Sequence, residues 1–141
     1  MNTARARGRD VALDVAPRLV AAAGLAVSGY VHAYLYGNGY RVIPRIGPAF
    51  QWQAAASFAV ALLLPLTGLV LLRLAAAGLA AASLGAFTLS RTVGVLGFTE
   101  HGWLPAPQAL MSVLAEIAVL VALAVPFARW LIHVDLKALT S

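Results

Sequence analysis

The sequence predicts an all-α protein that crosses a membrane with four helices. Of its 141 residues, 62% are hydrophobic and only 11% are charged, whereas a typical soluble domain has about 25% charged residues. The apolar residues fall into four segments, each close to the roughly 20 residues that a membrane-spanning helix requires. This composition cannot cover a core with a polar surface, so we expect lipid to be the solvent.

The limits of the four spans follow from hydropathy and from the turn-forming residues between them. A basic tail, residues 1–18, precedes the first span, which is too long for the hydrophobic region of a typical signal peptide and has tyrosines where a cleavage site needs small residues. Pro65 should kink the second span, a feature that membrane helices tolerate. Arg73 and small residues should form the turn to the third span, and "PAP" at 105–107 precedes the fourth. The predicted spans are 19–36, 52–72, 74–97 and 108–128, followed by a short amphipathic cytoplasmic tail, 129–141.

Basic residues predict the orientation. Seven Lys and Arg residues lie on the side of the two termini, whereas the opposite loops contain only Arg41 and Arg45, with Arg91 set aside. By the positive-inside rule, the N- and C-termini are then cytoplasmic, and the protein is a multi-pass protein of the cytoplasmic (plasma) membrane. The net charge of +5 comes from short segments that suit anionic lipid headgroups, and no basic domain offers a site for nucleic acid.

Three ionisable side chains are predicted to lie in the outer halves of the spans: His32, Arg91 and Glu116. Such residues are costly in lipid and usually face the interior of a helical bundle. A guanidinium binds a carboxylate through two parallel hydrogen bonds, so Arg91 and Glu116 are the expected partners in an intramembrane ion pair. Helical spacing adds further residues to the same faces. The predicted pocket residues are Arg91, Glu116, His32, Gln108, Ser112 and Tyr36.

Alternative interpretations of these residues stay open. The pair of Arg91 and Glu116 could serve only to fix the register of the helices, or Arg91 could extend alone to the headgroups. His32 could be a neutral imidazole bonded to a neighbouring helix, or a metal or haem ligand, with His101 as a weak second candidate. The absence of cysteine excludes thiolate metal sites and iron–sulfur clusters, and no catalytic motif is present.

Two classes of function fit this pattern. In the first, an outer-leaflet pocket binds a small molecule or a cofactor such as quinone or haem b. In the second, the chain is an accessory or assembly subunit that contacts other membrane subunits or a second copy of itself, and the ion pair is purely structural. An enzyme is less expected than either.

Two stretches carry a resemblance to known sequences. These are "GYRVIPRIGPAFQWQ" and "SRTVGVLGFTEHGWLPAPQALMSVLAEIAVL". Together they resemble small four-helix integral membrane proteins of high-GC Gram-positive bacteria, a group without an assigned activity. The resemblance covers about residues 30–121. It implies the four-span topology and transfers no role to any residue.

Overall fold

The computed structural model is all-helical, as the sequence predicts. It describes the backbone of residues 2–139 and the side chains of residues 15–125, so the side chains of most of the predicted tails lie outside the described residues. The elements are α1 (Asn2–Gly37), a 3₁₀ turn (Tyr40–Val42), α2 (Ile46–Leu63), α3 (Val70–Arg91) and α4 (Gln108–Leu139). Within the described part of the chain, four helical segments are long and apolar enough to cross a membrane: Val15–Gly37, Ile46–Leu63, Val70–Arg91 and Gln108–Val125. The prediction of four such helices is confirmed.

The four helices pack with α1 against both α2 and α4, and with α3 against α2 and α4. We call the end that carries the α2–α3 turn the Pro65 end, and the opposite end, with the 3₁₀ turn, the Tyr40 end. An apolar core fills the half nearer the Pro65 end; it consists of Ala21, Leu25, Leu64, Ala76, Ala80, Val119 and Ala122. Large apolar side chains such as Leu62 and Leu71 are exposed, as expected for surfaces that face lipid.

The α2–α3 turn lies earlier than the sequence indicated. Helix α2 ends at Leu63, and residues 64–69 form the turn before α3 begins at Val70. Pro65 therefore ends the helix instead of kinking it, because it has no N–H to donate and its ring obstructs the preceding turn. Arg73 lies in the first turn of α3, and Arg18 Nη1 donates to the Thr67 carbonyl at 2.9 Å, which ties this turn to α1.

Helix α3 also ends earlier than predicted, at Arg91 and not at residue 97. The amide of Gly94, which has a φ of +86°, donates to the Leu89 carbonyl at 2.7 Å and closes the last turn. Val95 and Phe98 then pair as a small antiparallel bridge. Arg91 is thus the last residue of its helix and begins a loop, which we call the 92–107 connection.

Close packing of α1 on α4 depends on Gly24. A Cβ atom at this position would lie 2.7 Å from Val119 Cγ2 and 2.8 Å from the Ala115 carbonyl oxygen. We expect Gly24→Ala to lower the free energy of unfolding by about 1–3 kcal/mol, because the two helices must move apart. Thermal unfolding in detergent measures the effect. Gly78→Ala, where a Cβ would meet nothing within 4 Å, is the matched control and should be neutral or stabilising. Equal melting temperatures for the two variants would contradict the close contact.

Candidate functional site

All four helices and the 92–107 connection enclose a cavity of about 270 Å³ at the Tyr40 end. Its walls are mostly apolar, with Phe50, Phe87 and Phe98 as the largest side chains. The polar and charged residues that line it are His32, Tyr40, Gln53, Ser83, Ser90, Arg91, Glu100, Ser112 and Glu116. The cavity therefore combines an apolar interior with polar groups contributed by every helix.

The cavity includes four of the six residues that the sequence indicated for the pocket: Arg91, Glu116, His32 and Ser112. Tyr36 and Gln108 are not among its lining residues. Both residues lie at helix ends, and at these ends other residues form the cavity wall. Leu35 and the Tyr40 turn form the wall beyond His32, and Pro105 and Ala109 form it beyond Ser112.

Glu116 lies at the centre of a buried polar cluster. It is 1% exposed, and its Oε1 accepts hydrogen bonds from Ser28 Oγ at 2.8 Å and from Ser112 Oγ at 2.7 Å. The i, i+4 spacing on α4 places Ser112 beside the carboxylate, while Ser28 reaches it from α1. Both hydroxyls bind the same oxygen. Among the described residues, Oε2 receives no hydrogen bond, although Glu116 lines the cavity.

The orientation of the His32 ring is fixed by its own helix. Nδ1 lies 2.8 Å from the Ser28 carbonyl oxygen, which can only accept, so Nδ1 carries the proton of the neutral ring. Nε2 then presents a lone pair, and its nearest partner is Ser83 Oγ on α3 at 3.4 Å, a long hydrogen bond. His32 is 9% exposed and lines the cavity beside Phe50, with the two ring centroids 4.9 Å apart.

Arg91 does not form the predicted ion pair with Glu116. Its Nη1 lies 3.0 Å from Glu100 Oε2, and the two side chains are only 14% and 20% exposed. Arg91 Nε also donates to the Gly102 carbonyl at 3.2 Å, and Nη2 donates to the Leu104 carbonyl. The physical reason is the early end of α3. A guanidinium at the last helical residue meets the 92–107 connection that follows it, whereas Glu116 Oε1 binds serines deeper in the structure.

Aromatic side chains extend the Arg91 cluster across the Tyr40 end. The Arg91 guanidinium carbon lies 4.1 Å from the centre of the Phe87 ring, a favourable cation–π contact. Tyr40 stacks on Phe50 with ring centroids 4.9 Å apart and donates its hydroxyl hydrogen to Glu100 Oε1. Burial raises the pKa of the Tyr40 phenol, and the hydrogen bond to Glu100 raises it further. Tyr40 therefore stays a donor over the usual range of pH.

Sequence reasoning missed two members of this cluster, Tyr40 and Glu100. Nothing local in the sequence indicates that the loop of Glu100 folds back over the helix ends. The signal that could have found it is the pair of glycines at 94 and 97, both with positive φ, which allow a reversal of the chain. His101 is exposed and does not line the cavity, so the structure does not bring it to His32. No group of three potential metal ligands occurs among the described residues.

The comparisons with known proteins add no relative to this description. No protein-family model, no curated protein and no solved structure matches the chain.

Proposed function

We propose that this chain is a multi-pass protein of the cytoplasmic membrane that binds a small, largely apolar molecule in the cavity at the Tyr40 end. With both termini in the cytoplasm, as the positive-inside rule favours, the cavity lies in the outer leaflet. Most of its walls are apolar, and the polar groups are few and specific. This combination is typical of small-molecule sites.

The observation that carries the proposal is the unequal use of the two oxygens of Glu116. A carboxylate buried among membrane-spanning helices is costly and commonly marks a functional site. If its role were only to join helices, both oxygens would be expected to bind protein donors, since an ionised carboxylate accepts at each oxygen. Here two serine hydroxyls converge on Oε1. Oε2, on a residue that lines the cavity, is the atom left for a ligand.

The size of the cavity favours a single ring of the quinone type over haem. A volume of about 270 Å³ lies at the lower limit of the range of about 300–1,000 Å³ that is usual for small-molecule pockets. Haem b in a helical bundle usually also needs two axial ligands from facing helices. Among the residues whose side chains the structure describes, His32 is the one histidine that lines this cavity. The absorption spectrum of the purified protein, oxidised and then reduced, tests haem directly, since a Soret band that His32→Ala abolishes would contradict this preference.

Filling the cavity should abolish binding. Ala86 and Ala81 are both exposed on α3, but of the two Ala86 alone lines the cavity. We expect Ala86→Phe to remove any molecule that co-purifies with the parent protein, as measured by solvent extraction and mass spectrometry. Ala81→Phe should retain it. A parent protein with no such molecule, or one retained equally by both variants, would overturn the proposal.

A second candidate function, an accessory subunit of a membrane complex, is favoured by the outer face of α3. Gly78, Ala81 and Gly85 are exposed on this helix, and a Cβ at either glycine would meet nothing within 4 Å. Small residues at such spacing allow another helix to approach closely. If this function holds, Ala81→Phe should release co-purifying subunits while Ala86→Phe keeps them, the reverse of the pattern expected for the ligand.

A further inference from the structure

We propose that the ligand presents hydrogen-bond donors to the protein and is an aromatic hydroxyl compound of the hydroquinone type, not the corresponding quinone. This inference rests on the proposed function, because it takes the cavity as the binding site. It is based on which hydrogen-bond donors and acceptors lining the cavity already have protein partners.

Two acceptors that line the cavity have no close partner among the described residues. Glu116 Oε2 receives no hydrogen bond from the described residues, since both serines bind Oε1. In the neutral imidazole, where Nδ1 holds the proton and donates to the Ser28 carbonyl, His32 Nε2 carries a lone pair, and its contact with Ser83 is long at 3.4 Å. A carboxylate oxygen and an imidazole nitrogen can therefore each accept a hydrogen bond from a ligand.

The strongest donors that line the same cavity are already engaged, and the neutral donors left are the Ser83 hydroxyl, which makes only the long contact with His32, and the second hydrogen of Gln53 Nε2. The Arg91 guanidinium binds Glu100 and two backbone carbonyls of the 92–107 connection. The Tyr40 hydroxyl also donates to Glu100, and Gln53 Nε2 donates to the Leu79 carbonyl at 3.3 Å. A quinone offers only carbonyl acceptors and would face the lone pairs of Glu116 and His32. A hydroquinone offers O–H groups to both.

The aromatic side chains in the cavity wall can pack against the ring of such a molecule. Phe50 stands between His32 and Tyr40, with each pair of ring centroids 4.9 Å apart, and Phe98 lies edge-on to Tyr40 at 6.0 Å. Aromatic faces and edges of this kind pack favourably against a further ring. Glu116 and His32 line the same cavity as these aromatic side chains, so a ring bound there shares one space with both acceptors.

The test compares tetramethylhydroquinone with tetramethylbenzoquinone under anaerobic conditions, with binding to the detergent-purified protein measured by calorimetry. The two probes share the same carbon skeleton and differ only in two hydrogens. We expect the hydroquinone to bind about tenfold or more tightly than the quinone, the effect of one hydrogen bond to a charged group. Ala86→Phe should abolish binding of both.

Glu116→Gln should reverse this preference. The two serine hydroxyls require an acceptor at Oε1, so the amide oxygen takes that position and the NH₂ group replaces Oε2 as a donor to the cavity. The quinone should then bind at least as tightly as the hydroquinone. Tyr36→Phe is the control: Tyr36 is not among the residues that line the cavity, so the ratio of the two affinities should stay that of the parent.

The outcomes separate this inference from the proposed function. Equal affinity of the parent for both probes, or a preference for the quinone, overturns the inference while Ala86-sensitive binding still supports the cavity as a site. No change of preference in Glu116→Gln also overturns it. Binding of neither probe excludes the hydroquinone class, and the co-purified molecule that Ala86→Phe removes then decides the proposed function independently.

Discussion

Arg91→Ala is expected to lower the free energy of unfolding by about 2–4 kcal/mol, the effect of removing one partner from a largely buried ion pair. The substitution leaves the Glu100 carboxylate with Tyr40 as its remaining partner and removes two hydrogen bonds that hold the 92–107 connection. It also removes the contact of the guanidinium with the Phe87 ring. We expect a fall of several degrees in the melting temperature in detergent.

Two further variants make this result specific. Arg91→Lys keeps the charge but cannot reproduce the planar, multidentate geometry, so it should recover only part of the lost stability. Arg41→Ala removes an arginine from an exposed position of the 3₁₀ turn at the same end of the molecule and should change the melting temperature little. If Arg91→Ala unfolds at the same temperature as Arg41→Ala, the role of Arg91 in closing the Tyr40 end is wrong.

Glu116→Leu is expected to leave the melting temperature unchanged or to raise it, while it weakens binding of the hydroquinone by about 10- to 100-fold, equivalent to about 1.5–3 kcal/mol. The carboxylate is almost fully buried, and replacement of a buried charged group by an apolar residue of similar size is often neutral or stabilising. Ser28 and Ser112 can turn their hydroxyls to backbone carbonyls one helical turn earlier.

This pair of measurements separates a functional carboxylate from a structural one. A group that serves only to join α1 to α4 should, when replaced, reduce stability and leave binding in the cavity intact. Glu116→Leu should do the opposite. Ser112→Ala is a useful comparison, because it removes one donor to Oε1 and keeps the carboxylate in the cavity. A large loss of stability in Glu116→Leu with unchanged binding would contradict the proposed role.

Much of the polar site could be anticipated from helical spacing. Ser112 and Glu116 lie at i and i+4 on α4, and Ser28 and His32 have the same spacing on α1, so each pair shares a helix face whatever the tertiary structure. The structure joins the two pairs through the bond from Ser28 to Glu116. Residues at the helix ends were less predictable, and Tyr36 falls outside the cavity because the 3₁₀ turn places Tyr40 there instead.

The sequence by itself determined that this is an all-helical protein with four apolar helices and that its buried polar residues lie toward one end. Hydropathy and helical periodicity are local properties, so they do not depend on how the helices are arranged. Only the tertiary structure decided which charges meet. Because α3 ends at Arg91 and the following loop folds back, Glu100 reaches the guanidinium, and Glu116 is left with two serines and one oxygen without a partner among the described residues.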